Sequence, residues 1–252
     1  MRCTPALARA VSLFLAVALA HGEAGSPAAI TAAQPIGLPP AMVIGFVGGF
    51  VKHNASAHST VQVVDHLRNE YPAGVYVEAF ENHRRQDAYR EILRRLDLNK
   101  DGTLSTEEKR NARIIIFGHS WGASETVTLA RKLEKDGIPV LLTIQVDSVS
   151  KIGQNDSVIP ANVGQAVNFY QPDGIIHGRP QIRAADPART EIVGNFRFDY
   201  KTNPISCEGY PWFDRVLVKA HTEIECDPKV WDQVESLIYS KLAPETRDTA
   251  RR

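Results

Sequence analysis

The sequence predicts an α/β fold in which a mostly parallel central sheet carries helices on both faces. Short β-branched apolar runs alternate along the chain with longer segments of helical periodicity, which implies parallel strands joined by right-handed crossovers. At residues 113–123 one such run is followed by a serine with a glycine two positions before it and another two positions after it, and a predicted helix begins there. We therefore expect one compact domain over residues 41–242, without a large cap domain.

The predicted strands are short runs of buried-type apolar residues, and each predicted helix carries one apolar stripe. The strands comprise residues 42–47, 75–80, 114–117, 140–146 and 167–170, with a further candidate in which Phe196, Phe198 and Tyr200 alternate with Arg197 and Asp199. The helices comprise residues 59–70, 84–96, a segment that ends near Lys135, and a final helix that begins at Pro228 with Asp227 as its N-cap.

The ends of the chain predict export from the cytosol. Residues 1–20 have a basic start, an apolar stretch too short to span a membrane and a small-residue cleavage site, which is the form of a secretory signal peptide. Residues 21–40 are expected to form a flexible leader and residues 243–252 a polar tail. We expect a secreted or periplasmic monomer without a transmembrane segment.

Charge and cysteine content narrow the class further. The chain has 29 Lys and Arg against 29 Asp and Glu, interspersed along its length, so no surface for nucleic acid is indicated. Of its three cysteines, Cys3 leaves with the predicted signal peptide. In an exported protein the remaining pair, Cys207 and Cys226, most simply forms one disulfide.

The most informative motif is Gly118-x-Ser120-x-Gly122 between an apolar strand and a helix. A serine at such a strand-to-helix corner has its hydroxyl exposed above the sheet edge, and the glycines allow strand and helix backbones to approach closely. Ser120 is therefore the candidate nucleophile, and an ordinary strand–helix turn is the alternative.

A serine hydroxyl needs a base, and the base needs an acid to hold its tautomer. In this type of site the chain order is Ser, acid, His, which reduces the eight histidines to His177 and His221. His177 lies in a Gly-rich loop four residues after Asp173. We favour His221, which we expect in a loop just before the final helix.

Two acids compete for the third role. Asp147 follows a well-defined apolar strand, which places it at the carboxyl edge of the sheet beside Ser120. Asp173 follows a less certain strand but occupies the later position that is usual in this type of site. We favour Asp147 over Asp173, and Asp199 comes third.

An acyl-transfer site also needs backbone N–H donors for the developing oxyanion. One is expected from Trp121, the residue after the nucleophile, and another from Gly49 or Phe50 in the loop after the first strand. A Gly-Gly pair is equally common in an ordinary turn. We expect the His119 side chain to be structural and to point away from the substrate.

A second motif predicts a Ca²⁺ site twelve positions upstream of Ser120. Residues 97–108 fit an EF-hand loop, because oxygen-bearing side chains occupy alternate positions, Gly102 allows the sharp turn and an acid ends the loop. The candidate ligands are Asp97, Asn99, Asp101, Thr103, Ser105 and Glu108. A solvated acidic loop is the alternative.

With these motifs, residues 42–242 resemble the α/β-hydrolase superfamily on its lipase and esterase side. The resemblance implies a serine hydrolase that cleaves a small-molecule or lipid ester through an acyl-enzyme. The calcium loop departs from the family pattern and looks like a single EF-hand or dockerin loop. A peptidase or amidase with the same triad, or a calcium-binding protein on an inactive hydrolase scaffold, remains open.

Overall fold

The computed structural model describes residues 39–242. The predicted signal peptide, most of the predicted leader and the polar tail lie outside these residues. Within residues 39–242, no helix is both long enough and apolar enough to cross a membrane.

A six-stranded, entirely parallel sheet forms the centre of the domain, in the order β2-β1-β3-β4-β6-β8. Its strands are β1 (Ala41–Val47), β2 (Val75–Glu81), β3 (Ile114–His119), β4 (Val140–Val146), β6 (Val163–Tyr170) and β8 (Glu191–Arg197). Two short strands, β5 (Val158–Ile159) and β7 (Arg183–Ala184), pair with each other in a separate small sheet. The predicted α/β class with a parallel central sheet is confirmed.

Helices cover both faces of the sheet. They are α1 (Ser59–Glu70), α2 (Arg85–Leu96), α3 (Thr106–Arg110), α4 (Trp121–Lys135), α5 (Trp212–Leu217), α6 (Lys219–Cys226) and α7 (Pro228–Leu242). Helices α1 and α7 pack on one face, and α2 and α4 pack on the other. Successive side chains of β3 alternate between these two cores, which explains why the strand is apolar along most of its length.

The strand order places a crevice beside β1 and β3. Within the sheet, β2 lies on one side of β1, and β3, the next strand along the chain, lies on the other side of β1. In open parallel sheets, ligands bind outside the carboxyl ends of the strands at such a switch point. The loops after β1, β3 and β4 therefore meet where a substrate can reach them.

Two predicted strands differ from the structure. The strand predicted at residues 167–170 begins earlier, at Val163. The alternating strand predicted around residues 196–200 is wrong in its bounds, because β8 ends at Arg197 and includes Gly194 and a register shift in its pairing with β6. This edge strand is only partly buried, so its apolar pattern is weak.

A third difference concerns the segment before the final helix. His221 lies on the short helix α6 and not in a loop. The start of the final helix is as predicted, because Asp227 Oδ1 accepts a hydrogen bond from the Lys229 amide at 2.9 Å, the contact of an N-cap. A helix of eight residues offers too few turns for a clear periodicity, so the sequence did not reveal α6.

Candidate active site

The Ser120 corner has the strained backbone of a nucleophile elbow. Ser120 joins β3 to α4 with φ 56° and ψ −124°, a conformation that L-residues rarely adopt. A Cβ on Gly118 would lie 2.7 Å from the Gly122 backbone, and one on Gly122 would lie 2.1 Å from the Phe46 carbonyl oxygen. Both glycines are therefore required because strand and helix backbones touch.

Three of the predicted residues come together at this corner. The Nε2 atom of His221 lies 2.9 Å from Ser120 Oγ, and its Nδ1 atom lies 2.6 Å from Asp147 Oδ2. An ionised carboxylate only accepts hydrogen bonds, so Nδ1–H donates to Asp147 and Nε2 is left as the acceptor for the serine hydroxyl. The geometry is that of a nucleophile, a base and an orienting acid.

The Asp147 carboxylate is fully buried and held from several sides. Its Oδ1 atom accepts hydrogen bonds from the backbone amides of Gln171, at 3.1 Å, and Gly178, at 2.6 Å. Its Oδ2 atom accepts one from the Gln171 side chain at 2.8 Å. A Cβ on Gly178 would lie 2.3 Å from Oδ1, so this loop closes on the acid without room for a side chain. These contacts fix the carboxylate toward His221.

The competing residues lie elsewhere. Asp173 is buried, but its Oδ1 atom pairs with Lys201 Nζ at 3.1 Å and it makes no contact with His221. Asp199 accepts hydrogen bonds from the amides of a turn that follows β8. His177 is exposed, and its Nδ1 atom lies 3.4 Å from the carbonyl oxygen of Gly178.

The loop after β1 approaches the nucleophile closely. A Cβ on Gly48 would lie 3.0 Å from Ser120 Cβ, and Gly49 has a positive φ of 43°. Within residues 39–242, the backbone amides of Gly49 and Phe50 donate no hydrogen bond, and the Trp121 amide starts the first turn of α4. These three predicted donors lie on the two segments that flank Ser120.

Asn82 holds this loop and was missed by the sequence reasoning. Its side-chain amide donates to the carbonyl oxygens of Val47 and Gly49, and its main-chain carbonyl oxygen accepts from Lys151 Nζ at 3.1 Å. Asn82 directly follows β2, so it reaches the same sheet edge as Ser120. Its position just after a predicted strand was the signal from which the sequence could have placed Asn82 near the site.

A second polar group lies behind His221. The His119 ring packs against the His221 ring with centroids 4.6 Å apart, and its Nδ1 atom lies 3.5 Å from Glu225 Oε2. The other carboxylate oxygen of Glu225 lies 2.6 Å from His58 Nδ1. His119 is buried as expected for a structural residue, but it lines the cavity at Ser120 and does not simply point away from it.

Burial and charge set the protonation of this group. Burial lowers the pKa of His119 to about 4, so its ring is neutral at neutral pH. Burial opposes protonation of His58, but the hydrogen bond and charge of Glu225 outweigh it and raise the pKa of His58. Glu225 lies one helical turn after His221 on α6, a spacing that is informative only once the helix is known.

A cavity of about 550 Å³ opens beside Ser120, a size typical of small-molecule sites. Much of its wall is apolar, and its rim carries exposed aromatic side chains. Phe50 is 92% exposed and makes an edge contact with Trp121, and Phe213 on α5 is 48% exposed. Helices α5 and α6, which form part of the wall, were not predicted from the sequence.

The structure pairs Cys207 with Cys226 in a disulfide, as predicted, with the Cα atoms 5.7 Å apart. Cys226 is the last residue of α6, so the bond links the helix that carries His221 to the chain before α5. The closed loop contains both helices that form this side of the cavity.

The predicted calcium loop has an oxygen-rich interior. Asp97 accepts hydrogen bonds from the Asp101 and Gly102 amides, and Lys100 and Gly102 have positive φ angles of 59° and 83°. Glu108 is buried and accepts from the amides of Leu98 and Ser105. In residues 39–242, no three His, Cys, Asp or Glu side chains are grouped as metal ligands, although the all-oxygen donor set is of the type that Ca²⁺ prefers.

Comparisons with known proteins find distant structural likeness only. No protein-family model matches the chain, and no curated protein matches it. The chain is similar to a thermostable esterase from Pseudomonas putida ECU1011, with 10% identity, a TM-score of 0.43 and coverage of 82% of this chain and 75% of that chain.

It is also similar to an esterase/lipase from an uncultured bacterium, with 10% identity, a TM-score of 0.42 and coverage of 83% of this chain and 80% of that chain. The RedJ thioesterase of the prodiginine pathway in Streptomyces coelicolor has 12% identity to this chain, a TM-score of 0.35 and coverage of 76% of this chain and 95% of that chain. These values are too low to argue for an activity of this chain.

Proposed function

We propose that this protein is a serine hydrolase of the α/β-hydrolase type that cleaves carboxylic esters through an acyl-enzyme. The observation that carries the proposal is the chain of contacts from Ser120 Oγ to His221 Nε2 at 2.9 Å and from His221 Nδ1 to Asp147 Oδ2 at 2.6 Å. A buried acid, a base that it orients and a strained serine in this order are the parts that acyl transfer requires.

In the proposed reaction, Ser120 Oγ attacks the ester carbonyl while His221 Nε2 takes the hydroxyl proton. Asp147 holds the imidazole in the required tautomer and stabilises its protonated form. The amides of Trp121 and of Gly49 or Phe50 donate to the oxyanion. His221 then gives its proton to the leaving alcohol, and a water molecule hydrolyses the acyl-enzyme by the same steps.

We also propose that the loop from Asp97 to Glu108 binds a structural Ca²⁺ and that the protein acts as a secreted or periplasmic monomer. The oxygen donors of the loop support the first proposal. The signal-peptide pattern and the Cys207–Cys226 disulfide support export from the cytosol.

A fluorophosphonate probe tests the proposed nucleophile. We expect covalent labelling of the purified protein at Ser120, mapped by mass spectrometry, and loss of labelling in Ser120→Ala. Ser236→Ala is the matched control, since Ser236 is an exposed serine on α7. A panel of p-nitrophenyl esters of increasing acyl length then defines the substrate. Labelling and turnover that persist in Ser120→Ala would rule out the mechanism.

A further inference from the structure

The cavity beside Ser120 carries negative charge without a lysine or arginine to balance it. Asp214 on α5 and Glu225 on α6 both line the cavity. Among the described residues that line it, only three histidines can carry positive charge, and the ring of His119 is neutral at neutral pH. The cavity therefore presents more negative than positive charge to a ligand.

The two acids differ in their partners. Glu225 is paired with His58, whose Nδ1 atom lies 2.6 Å from its carboxylate. In the part of the chain that the structure describes, the Asp214 carboxylate forms no salt bridge and accepts no hydrogen bond. The hydrogen bonds of this residue involve its main chain: its amide donates to the Pro211 carbonyl oxygen, and its carbonyl oxygen accepts from Thr222 Oγ1. Asp214 is thus the unpaired charge in the cavity wall.

The surroundings of Asp214 make this unpaired state unfavourable. Burial, followed by the negative charge of Glu225, raises the pKa of Asp214 above its ordinary value and outweighs the opposing influence of His58 and His221. A partly buried carboxylate without a partner gains stability when a positive charge approaches it, and an approaching negative charge is repelled. Phe213 and Tyr210 also line the cavity, and aromatic rings are groups that attract cations.

We propose that Asp214 is a specificity-determining residue that makes the cavity select esters with a cationic group near the scissile bond. Esters with an anionic group at the same place are disfavoured. This inference rests on the proposed hydrolase activity of Ser120, because selection is expressed in the turnover of esters.

Matched esters that differ only in charge test the proposal on each side of the scissile bond. On the alcohol side the pair is acetylcholine and its carbon isostere, in which a tert-butyl group replaces the trimethylammonium group. On the acyl side the series is p-nitrophenyl hexanoate, the mono-p-nitrophenyl ester of adipic acid and the p-nitrophenyl ester of a trimethylammonium-terminated hexanoate chain. Acid release at constant pH or p-nitrophenol absorbance gives kcat/KM for each ester.

In at least one series we expect the cationic ester to exceed the neutral one in kcat/KM by about tenfold or more. In the acyl series the anionic ester should fall below the neutral one. Asp214→Asn should reduce the cationic-to-neutral ratio toward one. Because the ratio is taken within one variant, a general loss of activity cancels, and Asp232→Asn on α7 controls for the loss of a surface charge.

If Asp214→Asn does not fold, the salt dependence of the wild-type ratio decides, because an electrostatic preference must decrease as ionic strength rises. Equal turnover of cationic and neutral esters in both series overturns the inference. A ratio that a folded Asp214→Asn variant leaves unchanged, or a wild-type ratio that does not decrease with salt, overturns it as well. If Ser120 is labelled by the fluorophosphonate in that case, the proposed hydrolase stands. Absence of both labelling and turnover refutes the hydrolase and the inference together.

Discussion

Replacing Cys207 and Cys226 together by serine should lower the free energy of unfolding by about 3 kcal/mol. The two cysteines are 19 positions apart, and in the chain-entropy model a closed loop of about this size restricts the unfolded chain by roughly that amount. For a domain of this length, each kcal/mol shifts the melting temperature by about 2–4 °C, so the expected decrease is about 6–12 °C. The effect on the site should be larger than on the rest of the fold, because the closed loop contains α5 and α6.

Urea unfolding followed by tryptophan fluorescence measures the change, and an unaltered slope with a lower midpoint would identify a loss of stability. Activity measured at increasing temperature shows whether His221 is released before the domain unfolds. Reduction of the wild-type protein should reproduce the shift, and the double variant should not respond to reductant. Two free thiols in the non-reduced mature protein, or equal midpoints for variant and wild type, would refute the reasoning.

Four further predictions concern the site and its surroundings. Asp147→Asn should reduce kcat by about ten-thousand-fold, whereas Asp173→Asn should retain most activity because its carboxylate contacts Lys201; equal losses in p-nitrophenyl ester turnover would contradict the assignment. Asn82→Ala should lower kcat by about tenfold to a hundredfold with little change in KM, since it frees the loop that carries the proposed oxyanion donors; steady-state kinetics with a raised KM alone would argue against this. Chelation should lower the melting temperature, since calcium at a hundredfold above Kd stabilises the folded state by about 2.7 kcal/mol; calorimetry without calcium heat, together with an unshifted melting temperature, would leave the loop as an acidic turn. Burial lowers the pKa of His119 from 6.5 to about 4, so the neutral ring contributes stability that is present above pH 6.5 and is lost as the pH falls through 4, by at most about 3 kcal/mol. His119→Gln should therefore lose less stability than the wild type on acidification, measured by urea unfolding at several pH values. Identical losses in the two proteins would contradict the prediction.

The parallel sheet and the elbow could be predicted because their signals are local. A strand buried on both faces is apolar at nearly every position, as in β3, and its neighbours show the same pattern. Gly118 and Gly122 are required by contacts within a few residues of Ser120 and by one strand beside it. Patterns that depend on near neighbours survive in the linear sequence.

The cavity wall could not be predicted in the same way. Helices α5 and α6 have only six and eight residues, too few for a clear period, and α5 buries none of its side chains. The contact between Glu225 and His58 joins residues 167 positions apart, and nothing in either local pattern indicates it. Asp214 lies on α5, and only the folded structure shows that this helix lines the cavity beside Ser120.

The sequence by itself determined the fold class, the serine at its strand-to-helix corner and the pairing of the two cysteines that remain after the predicted signal peptide. Only the tertiary structure decided which acid meets the base. Asp147 and Asp173 both follow strands that end at the same sheet edge, so their positions in sequence do not distinguish them. The packing of α6 and the close approach of Gly178 direct Asp147 toward His221, whereas Asp173 is held by Lys201. Such a choice depends on side chains that meet across the fold, which no local pattern encodes.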